Sequence, residues 1–150
     1  MAKNAWLVTL MRLIAGGIFT YSGYNKLIKP VQEFQYVIEQ YQTFPSFLVF
    51  WIAHILPWAE FIFGVFLVIG FLRFLSAGIL SLMSLAFLIL LSSSLIRGID
   101  ISHCGCFGEG IHLTAAQAVV LDSFLVMMLV FLSRYPFRFM ELDQYLLYQD

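Results

Sequence analysis

The chain has 150 residues, of which 61% are apolar and 11% charged, and its net charge is −1. A soluble globule carries roughly 25% charged residues, so this composition excludes an ordinary soluble domain, and the near-neutral balance argues against nucleic acid as a partner. The length gives room for one domain, 1–150, and two cysteines are too few for the disulfide framework of a small secreted domain.

A helix that crosses a bilayer needs about 20 mostly apolar residues. The first such stretch is Ala5–Tyr24. Met1 to Lys26 has the length of a secretory signal, but Arg12 interrupts its apolar core, no small-x-small cleavage site follows, and more apolar spans come after. It is therefore expected to be a retained first transmembrane helix. Pro30 to Pro45 differ in character. Val31, Phe34, Ile38 and Tyr41 recur at helical spacing, while Gln32, Glu33, Gln35, Glu39, Gln40 and Gln42 cover the other side. This pattern predicts an amphipathic helix at the membrane surface, or folded over the mouth of a bundle. The plainer alternative is a connector whose apolar stripe rests on lipid.

The second and third spans, Phe47–Phe71 and Phe74–Ile96, are separated by little more than Leu72-Arg73, which forces an antiparallel hairpin. Pro57 is expected to kink the second span near its start. A fourth span covers Thr114–Ser133, and the tail from Tyr135 to Asp150 mixes aromatic and acidic residues like a second interfacial segment. Lipid offers no water to backbone groups, so each span should be a continuous helix. The predicted fold is all-α: an integral membrane four-helix bundle with an amphipathic interfacial helix between the first two spans. No internal repeat or low-complexity linker is present.

Lys3, Arg73, Arg134 and Arg138 fall on one side of such a bundle, and Lys26, Lys29 and Arg97 on the other. Four against three favours cytoplasmic termini. The loop between the third and fourth spans then faces outward, which in a bacterium is the oxidising periplasm.

That loop holds both cysteines, in His103-Cys104-Gly105-Cys106-Phe107-Gly108. Thiols one residue apart close only a small, tense ring, for which the glycine supplies backbone freedom. Such a disulfide has a higher reduction potential than a relaxed one and exchanges readily. His103, as a cation, would lower the pKa of Cys104 and favour its thiolate, leaving Cys106 to resolve a mixed disulfide with a partner. The bland alternative is a pair of inert thiols or a passive loop clip. A metal site from His103, Cys104, Cys106 and His112 is disfavoured, because structural zinc pairs are spaced by two to four residues; no metal is expected.

Ionisable residues inside a membrane are costly and therefore candidates for function. Arg12 lies in the first span, Glu60 in the second and Asp122 in the fourth. If the first two spans are antiparallel neighbours, Arg12 and Glu60 fall at similar depth, as an ion pair that fixes register. The functional alternative is a polar floor beneath the cysteine loop that handles protons or holds a quinone head group. Asp122, about two turns into its span, would accept a proton or cap a neighbouring helix. His54, beside Trp51, Pro57 and Trp58, reads as an interfacial residue of an aromatic belt, with quinone binding as the minority alternative.

The first span reads Arg12-x-x-x-Gly16-x-x-Phe19-x-x-Ser22-Gly23-x-x-Lys26-Leu27, followed by Pro30; the second reads Leu56-Pro57-x-x-Glu60-x-x-x-Gly64 and continues to Gly70. With Gly98, Cys104-Gly105-Cys106-Phe107-Gly108 and Asp122, these patterns resemble the DoxX/MauE superfamily of small four-helix membrane proteins over nearly the whole chain, and the CGCFG element points to the MauE branch. The resemblance implies a redox-associated protein of the bacterial inner membrane that supports disulfide formation or maturation of periplasmic proteins, beside a thioredoxin-like partner. By matching motif, Cys104 and Cys106 would be the redox pair, with Arg12, Lys26, Glu60 and Asp122 as the supporting polar set. The electron acceptor stays open, a quinone being one candidate. The alternative function is a non-enzymatic subunit or assembly factor of a larger membrane complex.

Overall fold

A computed structural model describes residues 2–98 and 115–134, with the side chains of 6–98 and 116–134. Every regular element among them is a helix: α1 (Ala2–Ile28), α2 (Val31–Gln40), α3 (Ser46–Ile69), α4 (Arg73–Ile96) and α5 (Ala115–Arg134). Three of these, α3, α4 and residues 116–134 of α5, are long and apolar enough to cross a membrane. The 27 residues of α1 extend roughly 40 Å at 1.5 Å per residue. This helix outruns the predicted Ala5–Tyr24 at both ends and takes in Lys26.

The breaks follow from proline and glycine chemistry. Pro30 and Pro45 precede α2 and α3, where a missing N–H costs nothing, and their carbonyls accept the first-turn N–H groups of Glu33 (3.0 Å) and Leu48 (2.9 Å). Gly70 ends α3 in the left-handed conformation (φ 80°), and the N–H groups of Gly70 and Phe71 both donate to the carbonyl of Phe66 at 2.9 Å. This is the glycine-capped helix end that satisfies otherwise orphaned carbonyls. Leu72 is also left-handed (φ 46°), so α4 doubles back at once, as the Leu72-Arg73 break predicts. Pro57 lies within α3, and the helix continues through it to Ile69.

α1 packs antiparallel along α3, α4 packs along α5, and α3 and α4 form the hairpin between the two pairs; α1 also touches α5. The α1–α3 seam is built on absent side chains. A Cβ on Gly23 would sit 2.6 Å from the backbone nitrogen of Phe61, and one on Gly64 would sit 2.7 Å from that of Thr20. A Cβ on Gly16 would lie 3.0 Å from the carbonyl oxygen of Gly64. Gly16 and Gly23 are seven residues apart and so recur on one face of α1, where small residues let helix backbones approach without a hydrophobic driving force.

The residue distribution is inverted relative to a soluble protein. Phe74 (73% exposed), Val120 (70%) and Leu82 (69%) face outward, while Arg12, Lys26, Glu60, Arg73 and Asp122 are buried. Lipid accounts for that pattern, since polar side chains inside a membrane turn toward the protein interior. The apolar stripe of α2 is buried too. Phe34 and Ile38 pack against Val49 and Ala53 of α3, and Tyr41 joins the main core with Leu67, Leu80 and Leu129. The stripe therefore rests on protein.

Gly23→Ala should destabilise the chain by about 1–3 kcal/mol, the cost of overpacking a tight contact, because the colliding atoms are backbone. Gly17→Ala, whose Cβ meets nothing within 4 Å, should leave stability unchanged or slightly raised. Thermal unfolding of both variants in detergent checks the contrast.

Candidate functional site

Four helices meet around one ammonium, and the fifth faces them across a small cavity. Lys26, two residues before the end of α1, is buried, and its Nζ donates to both carboxylate oxygens of Glu60 at 2.8 Å. The same nitrogen lies 5.0 Å from the ring centroid of Phe34 on α2 and 5.4 Å from that of Phe87 on α4, so two aromatic faces complete its shell. Ser22, one turn earlier on α1, donates to Glu60 Oε2 at 3.2 Å. Across the bundle, Ser84 of α4 donates to Asp122 Oδ1 of α5 at 3.3 Å. Asp122 Oδ2 is buried and has no hydrogen-bond partner among the described residues.

Between these groups lies a small enclosed cavity walled by Ser22, Glu60, Ser84 and Asp122, and by Phe19, Phe87 and Leu125. About 10 Å³ of it is open to the centre of a water molecule, which is the room one water needs. A quinone ring does not fit there. On the outer face of the α1–α3 pair, by contrast, an apolar groove of about 470 Å³ runs between Gly17, Tyr21, Tyr24, Phe61, Val65 and Val68.

The chain places the expected residues as follows. Lys26, Glu60 and Asp122 come together. Arg12 is buried but does not share their level: the seam sets Gly16 against Gly64 and Val68, and Gly23 against Pro57 and Phe61. Arg12 thus lies opposite the Gly70 end of α3, about ten residues from Glu60, or roughly 15 Å along the axis at 1.5 Å per residue. The expected Arg12–Glu60 pair is corrected to Lys26–Glu60. His54 is exposed on α3, with Nδ1 2.8 Å from the Phe50 carbonyl oxygen and its ring stacked on Phe50 at 4.3 Å. His103, Cys104 and Cys106, with His112, lie outside the described residues. Ser84 and Phe87 were not singled out in the sequence, and Phe34 only as part of the apolar stripe of α2; the one signal for Ser84 is a hydroxyl recurring in an apolar span at Ser76, Ser81 and Ser84, all buried on α4.

The location of the cluster follows from helix ends. Asp122 is seven residues into α5, roughly 10 Å from its start, and Lys26 is next to the end of α1. Both lie toward the end of the bundle where α4 stops and α5 begins, whereas Glu60 and Ser84 lie near the middle of α3 and α4, so the cluster reaches from mid-helix depth toward that end.

A family model described as methylamine utilisation protein MauE matches residues 4–134. Among curated proteins and among solved structures, nothing matches the chain.

Glu60→Gln leaves the Lys26 ammonium buried without its carboxylate, and should cost about 3–5 kcal/mol. The double change Lys26→Met with Glu60→Leu removes both charges together and should recover most of that loss, since apolar replacement of a whole buried pair is often neutral or better. Unfolding temperatures of the single and double variants in the same detergent test this.

Proposed function

The chain belongs to the MauE family, and on that premise we propose that this multi-pass membrane protein is a thiol–disulfide redox protein of the bacterial inner membrane. In this reading α1 is a fourth span, α2 lies at the membrane interface, both termini are cytoplasmic, and the 97–114 connection is periplasmic. The observation that carries the reading is Cys104-Gly105-Cys106, beside His103, in the connection between α4 and α5. The buried polar cluster toward the same end supports it, because redox exchange of thiols moves protons as well as electrons.

The chemistry balances as two coupled exchanges. The Cys104–Cys106 disulfide accepts two electrons and two protons from the dithiol of a periplasmic partner, for instance a thioredoxin-like protein, and that partner becomes a disulfide. A quinone then takes two electrons and two protons from the Cys104/Cys106 dithiol, leaving as hydroquinone and restoring the disulfide. Run in reverse, the same steps reduce the partner. The lipid-facing groove at Tyr21 and Tyr24, within the 300–1,000 Å³ range of small-molecule sites, has the room for such a carrier that the enclosed cavity lacks. His103 favours the attacking thiolate of Cys104.

A second reading, a non-enzymatic accessory of a larger membrane complex, is favoured by one observation: the family description names a process, methylamine utilisation, and no reaction. The two readings diverge when the sulfur is removed. Exchange between the reduced, reconstituted protein and a soluble protein supplied as its disulfide should proceed with wild type, stall at a trapped mixed disulfide in Cys106→Ser, and be absent in Cys104→Ser. Rates identical in all three would reject the redox role. An intact, stoichiometric complex after loss of both cysteines would favour the accessory.

A further inference from the structure

The Lys26–Glu60–Asp122 cluster contains more acid than base. Around Asp122, α1 contributes the Lys26 ammonium and the Ser22 hydroxyl, α3 contributes Glu60, and α4 contributes Ser84 and the Phe87 ring; α2 adds only Phe34, over Lys26. Two carboxyl groups therefore face one cation. Lys26 is engaged with Glu60 through both oxygens at 2.8 Å, and the side chains of that pair are 2% and 4% exposed. Asp122, 5% exposed, has one oxygen on Ser84 and, among the described residues, no donor on the other.

We propose that the cavity between Glu60 and Asp122 is a proton-binding site: Lys26 neutralises Glu60, Asp122 holds a proton, and one water bridges the two carboxyl groups. A second bare carboxylate so far from solvent has no cation of its own among the described residues that face it. A protonated carboxyl removes that charge, but its O–H then needs an acceptor. The cavity supplies one. It has room for a single water, and its walls offer the water between two and four polar partners in Ser22, Glu60, Ser84 and Asp122. Ser84 tethers the other oxygen, so the proton is directed into the cavity. This assignment stands on the charges and the cavity alone and does not require the cysteines to be redox-active.

The experiment is infrared spectroscopy of the full-length protein in lipid vesicles at neutral pH, reading the C=O band of protonated carboxyl groups and its shift in D₂O. Wild type should show this band, sensitive to D₂O, and Asp122→Asn, which keeps a Ser84 acceptor, should lose it. Lys26→Met should double the band, because both acids then need protons. Exchanging choline for sodium in the buffer should change nothing. Absence of the band in wild type, its persistence in Asp122→Asn, or an unchanged single band in folded Lys26→Met would overturn the proposal. So would loss of the band in sodium, which would make the site one for a metal cation. Should Lys26→Met fail to fold, the isosteric Asp122→Asn comparison decides.

Discussion

The rest of the molecule depends on how closely α1 approaches α3. Lys26 and Glu60 meet at 2.8 Å only because Gly16, Gly23 and Gly64 leave no side chains between the two backbones. In a lipid environment apolar contact does little to drive helices together, so tight van der Waals packing and buried polar contacts must do so. Here the two devices reinforce each other. The glycines bring the helices near enough for the ion pair, and the ion pair fixes the axial register at which the glycines face backbone. A slip along either helix would lose both at once.

Burying charge in a bundle this small is costly, and the fold spreads that cost over many elements. Glu60 receives an ammonium and a hydroxyl from α1, and the ammonium in turn faces rings from α2 and α4. The surplus carboxyl, Asp122, sits across a water-sized gap on a different helix pair. Such an arrangement is weak evidence for stability, because apolar side chains of similar volume often pack as well. Its place at the meeting point of every described helix fits the proton-binding role proposed for it.

Much of this could be read from the chain before folding, and the failures have a physical cause. Span lengths, the Leu72-Arg73 hairpin and the proline-bounded amphipathic helix follow from local rules, and their helix ends fall within a few residues of where the patterns put them. The partner of Glu60 did not follow, because depth was reckoned from the ends of a first span that stopped at Tyr24. Lys26 then looked like an interfacial charge. In the fold α1 runs on to Ile28 and α2 returns over its end with Phe34, so a lysine at the apparent rim becomes interior. The same effect alters the charge count used for orientation: Lys26 and Arg73, one from each side, are both buried. The difference of one between the sides survives, carried by fewer loop residues. Ser84 and the rings around Lys26 could not be assigned from spacing, since helix rotation decides which polar or aromatic residue of an apolar span turns inward. The cysteine segment was the clearest chemical signal in the sequence, and it lies outside the described residues.

The turn at Gly70–Leu72 bears on how the chain reaches its bilayer. Left-handed Gly70 and Leu72, with Phe71 between them, leave no slack between α3 and α4, so neither can cross while the other waits at the surface. The two helices therefore behave as one unit, with Arg73 buried at the bend that joins them. The hairpin is thereby a continuous seat, with α1 packed along its α3 arm and α5 along its α4 arm.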